Sequence, residues 1–146
     1  MSIDRKTLSD NAAQGRRLEA LVSRLSVADL QRDLGGGWTV AVGLAHLGFY
    51  DRRAALVLQR WDGQGSPPAG GDTDILNDAL FAEWLALPPR RAAELALAAA
   101  KAVDAIVDAA DARMVDAIRA SGEDWLLHRS RHRREHLDQI EQLLRG

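Results

Sequence analysis

An all-α four-helix bundle is the fold class that this sequence predicts, and three observations carry it. Alanine and leucine dominate while β-branched and aromatic residues are sparse, a composition that favours helix nearly everywhere. Four stretches place apolar residues at helical spacing, and none alternates as a half-buried strand would. No internal repeat divides the 146 residues, a length suited to a single domain spanning 1–146 that buries its core without staples.

The first helix is expected from about Asp4 to Leu25, with Leu8, Leu18, Leu21, Val22 and Leu25 on its apolar side. Ser26, with Asp29 three residues on, reads as a capped start for a short turn, VADLQRDL, that Gly35-Gly36-Gly37 ends. Thr39 is a good N-cap for a second long helix reaching about Asp62, a rod of roughly 36 Å at 1.5 Å per residue. The stretch GQGSPPAGGD (63–72) has the Gly, Pro and Ser density of a loop. A shorter helix, TDILNDALFAEWLAL, stops at Pro88-Pro89, where the third long helix begins, since proline is tolerated in a first turn.

That third helix is expected to run to about Ala110, with Leu95, Ala99, Ala102, Val103 and Ile106 as its apolar arc and Lys101, Asp104, Asp108 and Asp111 opposite. Arg90 and Arg91 near its start and aspartates near its end oppose the helix dipole, so the helix must depend on packing. A weaker segment, ARMVDAIRASGE, leads to a last helix from about Asp124 to Leu144. The connection between the second and third long helices is long and has its own short helix, so it could cross over and simple up-down-up-down order is not assured.

Nineteen basic and twenty-one acidic side chains nearly cancel, giving a net charge of −2 and a pI near 6.1. A nucleic-acid binder would show a basic surplus or a one-sided basic domain, and this chain shows neither. The absence of cysteine excludes disulfides, thiolate ligands and a catalytic cysteine. The N-terminus lacks the apolar core of a signal peptide, and no apolar run approaches the roughly 18 residues of a membrane span. A cytoplasmic protein is the expectation.

Three of the four histidines lie in HRSRHRREH (128–136). On a 100° wheel with His132 at zero, His136 falls at about +40°, His128 at about −40° and Trp125 at about +20°, flanking the face that turns inward. The arginines scatter: Arg129 near +60°, Arg131 near −100°, Arg133 near +100° and Arg134 near 200°. A phosphate-tracking helix would gather its cations on one exposed side. The arginines other than Arg129, with Glu135, are therefore read as a solvated face.

Histidines at i and i+4 project from adjacent turns and can share one metal ion, provided a third ligand comes from elsewhere. The only other histidine is His46, on a second-helix face with Val42, Phe49, Tyr50, Arg53, Val57 and Trp61. Gly43, one turn earlier, would leave space beside it. Two readings stay open on spacing alone: hydrogen-bonded core histidines, or a metal site.

GGGWTVAVGLAHL (35–47) and HRREHLDQIEQLL (132–144), with ILNDALFAEW (75–84) between them, resemble the DinB/YfiT-like superfamily and its branch related to mycothiol-dependent maleylpyruvate isomerase. The resemblance implies a four-helix bundle with a crossover connection, holding a divalent ion, zinc or nickel, through His46, His132 and His136. His128 lies outside the motif and is expected at the pocket rim. The resemblance further implies a thiol S-transferase or isomerase that uses a low-molecular-weight thiol such as mycothiol or bacillithiol on an electrophilic substrate. The alternatives are a hydrolase using metal-bound water and a non-catalytic metal-binding stress-response bundle. Tyr50, Arg53 and Arg129 are the candidate substrate-binding residues, with interhelical ion pairs the competing role for both arginines. Trp38 is expected to pack at the start of the second helix. No nucleic acid or membrane partner is expected, and the oligomeric state stays open, a homodimer included.

Overall fold

Asp4 accepts the Thr7 N–H at 2.8 Å and starts α1 (Arg5–Arg24). Ser26 and Asp29 exchange side chain-to-backbone hydrogen bonds, the reciprocal capping box the sequence predicts, and open the single turn α2 (Val27–Leu30). The computed structural model describes residues 2–64 and 73–146.

The glycine triplet does not end the α2 turn, contrary to the reading of VADLQRDL, because the turn already stops at Leu30 with Gln31 as its C-cap. The triplet has another role. It closes a small antiparallel hairpin of β1 (Asp33–Gly35) and β2 (Trp38–Thr39), in register Asp33 to Thr39 and Gly35 to Trp38. Gly36 and Gly37, at φ of 62° and 83°, supply the left-handed pair that a two-residue hairpin turn requires. This corrects the expectation of a chain without strands.

Thr39 Oγ1 accepts the Val42 N–H at 3.1 Å and caps α3 (Val40–Gln64), as expected. Residues 63 and 64 continue this helix, and the rest of the loop expected at 63–72 lies outside the described residues. Then come α4 (Thr73–Ala86), α5 (Pro89–Asp108) with proline in its first turn, and α6 (Ala112–Ala120) with Asp111 as N-cap. A 3-10 turn (Asp124–Leu126) precedes α7 (Arg129–Arg145). The last helix therefore starts later than expected, and His128 is its N-cap residue.

Among the long helices, α3 packs on α5 and α7, and α1 packs on the same two. The N-terminal halves of α3 and α5 share one apolar cluster with the C-terminal halves of α1 and α7, which includes Leu18, Leu44, Ala96, Leu137 and Ile140. Further along α3 and α5, Leu58, Val103 and Val107 join Ile3, Ile118, Leu126 and Leu127 in a second cluster. Thus α3 and α5 run parallel to each other and antiparallel to α1 and α7. Two parallel consecutive helices need a connection that returns along the bundle, which is the expected crossover, and α4 is its described part.

The arc that α5 buries is Ala92, Ala93, Ala96, Ala99, Ala100, Val103 and Val107, rotated from the expected one, with Ala102 exposed and Leu95 and Ile106 half-buried. Close packing explains the choice. A Cβ on Gly48 would lie 2.9 Å from Ala96 Cα, so the α3 and α5 backbones nearly touch and only alanines fit between them. The misplaced charge on α5 also finds a reason. Arg90 donates to the carbonyls of Val22 (3.1 Å) and Leu25, the free end of α1.

Candidate metal centre

Between the two apolar clusters the long helices turn polar side chains towards one another. His46, on α3, is 6% exposed, and His132 and His136 of α7 are half-buried across from it. The Nε2 atoms of His46 and His136 each lie 3.1 Å from His132 Nε2, and the ligating atoms of all three fall within 4.8 Å of one another.

That convergence fits a metal ion. Tetrahedral nitrogen ligands at about 2.0–2.1 Å sit roughly 3.3 Å apart. Hydrogen bonding alone satisfies the cluster poorly, because a neutral imidazole has one N–H and His132 Nε2 faces two other ring nitrogens. Burial favours the neutral, lone-pair form. It lowers the pKa of His46 to about 4, with the nearby His136 adding to the shift. It lowers that of His132 to about 2, helped by His136, Arg129, His46 and Arg133. It also lowers that of His136, against the opposing pull of Glu135. Three side chains could therefore hold a divalent ion and leave coordination positions open.

Aromatic rings hold the histidines in place. Trp38 and Trp84 meet the His46 ring edge-on at 5.3 and 5.5 Å between centroids, and Tyr50 lies 4.9 Å from it. Trp38 is thus a packing residue, as expected, but what it packs on is the site itself. Trp84, brought in by α4, was not foreseen. The Nδ1 atoms of His46 and His132 find no hydrogen-bond partner among the described residues. Their rings are oriented by packing in place of the usual carbonyl or carboxylate behind a ligand. The space expected beside Gly43 is there: Gly43 lines a cavity of about 450 Å³ with Trp38, His136 and Leu34, and the Leu34 Cδ1 would lie 3.0 Å from an added Cβ.

The triad borders a cleft of about 670 Å³ whose other walls include Tyr50, Arg53, Trp125, His128, Arg131 and Glu135. Tyr50 donates to Asn77 Oδ1 at 3.0 Å. The Arg53 guanidinium lies 5.3 Å from the centroid of the Trp125 ring and makes no ion pair among the described residues. Arg129 is different: its Nε donates to Asp51 Oδ1 at 2.9 Å, its Nη1 to the Trp125 carbonyl at 3.1 Å, and it is 2% exposed. His128 sits at the cleft rim, bonded through Nε2 to Asp124 Oδ2 at 2.8 Å. Trp125, expected inward, belongs to the 3-10 turn and is 36% exposed.

Arg133 corrects the solvated-face reading. It is fully buried, donating through Nε to Asp51 Oδ2 at 3.0 Å and through Nη1 to Asp104 Oδ2 at 2.8 Å. Asp51, also fully buried, joins it to Arg129, and neither Asp51 nor Asp104 was foreseen as its partner. The wheel did hold a signal. Ile140 and Leu137 fall at about +80° and +140°, either side of Arg133, so the buried arc is centred on the arginine. Arg131 and Arg134 are exposed, as expected.

The bundle, its crossover and the three-histidine cluster agree with a comparison of sequences. The chain matches neither a curated protein nor a solved structure. The family model of the DinB superfamily matches residues 11–140, a span that takes in α3, α4, α5 and all three histidines. The chain therefore belongs to the DinB superfamily.

Proposed function

We propose that this protein is a divalent-metal-dependent enzyme of the thiol S-transferase or isomerase type, with zinc or nickel held by His46, His132 and His136. The observation that carries the reading is the convergence of the three histidine Nε2 atoms at the wall of an open cleft that the Arg53 guanidinium also lines. A bound divalent ion supplies Lewis acidity, which lowers the pKa of a thiol brought to it and so raises its nucleophilicity. The chain has no cysteine, so the thiol is a small molecule such as mycothiol or bacillithiol. Arg53 binds an anionic group of that thiol or of the electrophile, and the indole beneath keeps the guanidinium extended into the cleft. Tyr50 donates its one hydroxyl proton to Asn77 Oδ1 and so turns its oxygen lone pairs to the site, where they accept from a substrate N–H or O–H. Trp38 and Trp84 keep water from the far side of His46.

The test is the metal content of purified protein and of His46→Ala, His132→Ala and His136→Ala. Stoichiometric zinc or nickel in the wild type, lost in each variant, is the expected result. A metal-free wild type, or two variants that still bind, would overturn the ligand set. Adding a low-molecular-weight thiol to the cobalt-substituted protein is expected to shift its visible spectrum. No shift with any thiol would favour water-based hydrolysis or a non-catalytic metal bundle.

A further inference from the structure

The ligand helix α7 is held to the rest of the bundle by charge at the level of the triad. Asp51 lies five residues after His46 on α3 and divides its two oxygens between Arg129 and Arg133, which bracket His132 on α7. Arg133 also reaches α5, through Asp104 Oδ2 (2.8 Å) and the Ala100 carbonyl (3.3 Å), and α1, through the Asn11 carbonyl (3.2 Å). Asn11 in turn donates to the Leu127 carbonyl at 2.7 Å and accepts the Ser130 N–H at 2.9 Å. Gly15 leaves room for this array, since a Cβ there would sit 3.2 Å from Asp104 Oδ2.

We propose that Asp51 is a positioning residue, setting the axial register and rotation of α7 against α3 and so bringing the His46, His132 and His136 rings together. Apolar contacts between helices tolerate small slides and rotations, because many side-chain arrangements bury similar area. A carboxylate shared by two guanidinium Nε atoms does not, because any other register leaves buried charges without partners, at a high desolvation cost. The role is needed here because, among the described residues, the Nδ1 atoms of His46 and His132 have no hydrogen-bond partner to fix their rings. The inference rests on the three-histidine reading for its purpose, while its geometric content concerns the metal-free protein.

The experiment compares Asp51→Asn with Val107→Ala, a core truncation in the second apolar cluster, and reads the metal-free proteins first. Nuclear Overhauser contacts between the His46 and His132 rings are expected in the wild type and in Val107→Ala and are expected to be lost in Asp51→Asn. Cobalt affinity is expected to fall at least ten-fold in Asp51→Asn, with an altered visible spectrum, and to change less than two-fold in Val107→Ala. Should Asp51→Asn not fold, Arg129→Met removes one α3–α7 bond while Arg133 keeps both carboxylates, and a smaller loss in the same direction is expected. Ring contacts and cobalt spectra indistinguishable from Val107→Ala at matched melting temperature would overturn the positioning role and leave the metal reading intact. Loss of ring contacts in a protein whose wild type binds no cobalt would overturn the metal reading and leave the positioning role standing.

Discussion

Arg53 and Arg129 border one cleft and have different partners. Arg129 is buried against Asp51, whereas Arg53 faces the cleft over an indole and makes no ion pair among the described residues. Arg53→Ala is expected to weaken binding of a carboxylate-bearing thiol by about ten- to a hundred-fold, the worth of one charge-assisted hydrogen bond, with metal content unchanged. Titration calorimetry with the loaded protein measures it, and unchanged affinity would remove Arg53 from the site. The histidines carry a pH signature of their own in metal-free protein. Their pKa values are depressed on folding, to about 4 for His46 and about 2 for His132, from an ordinary 6.5. Below pH 6.5 the unfolded chain therefore binds more protons than the folded one, and stability falls as pH drops towards 4. The melting temperature of chelator-treated protein is expected to be lower at pH 5 than at pH 7.5, with a smaller difference in His132→Ala. An equal difference in both would show that His132 is not buried in its neutral form.

The α3–α5 pair is set by its smallest residues. Gly48→Ala would place a methyl 2.9 Å from Ala96 Cα and 3.1 Å from its backbone nitrogen, where only separation of the helices relieves the clash. The expected cost is about 1–3 kcal/mol, more than the gain in helix propensity of about 1 kcal/mol. Gly43→Ala meets only the tip of Leu34, a flexible side chain, and is expected to be near neutral. Urea titration of the two variants distinguishes them, and equal midpoints would show that the helices are not in backbone contact. Caps and prolines made several element starts legible, since Ser26, Thr39 and Pro89 act locally through a few bonds, whereas Asp111, expected on the polar side of α5, is the N-cap of α6. The hairpin was missed because its strands are two and three residues long, too short for alternation, although a Gly-Gly turn was in view. The α5 arc was misjudged for a related reason: composition ranks leucine above alanine as a core residue, and close helix approach reverses that order.

At the scale of the whole molecule the bundle runs up-down-down-up, with the triad between α3 and α7. Among the described residues no helix is long and apolar enough to cross a membrane. Because the three histidines lie on two helices far apart in sequence, an ion held by them only in the folded chain would stabilise the entire bundle. Removing it with a chelator is expected to lower the melting temperature by about 5–10 °C, since free metal at about a hundred times its dissociation constant contributes roughly 2.7 kcal/mol. Scanning calorimetry with and without chelator measures this, and coincident transitions would place the histidines outside any metal site. The sequence by itself determined the long helices, several of their caps, a connection long enough to cross over and the three histidines, because each is written in local spacing and composition. Only the tertiary structure decided that Arg133 is buried, that Arg129 belongs to Asp51, and that Trp84 packs on His46. Those partners lie 29 to 82 residues away in the chain, and nothing in local periodicity says which distant carboxylate or ring a buried group will meet.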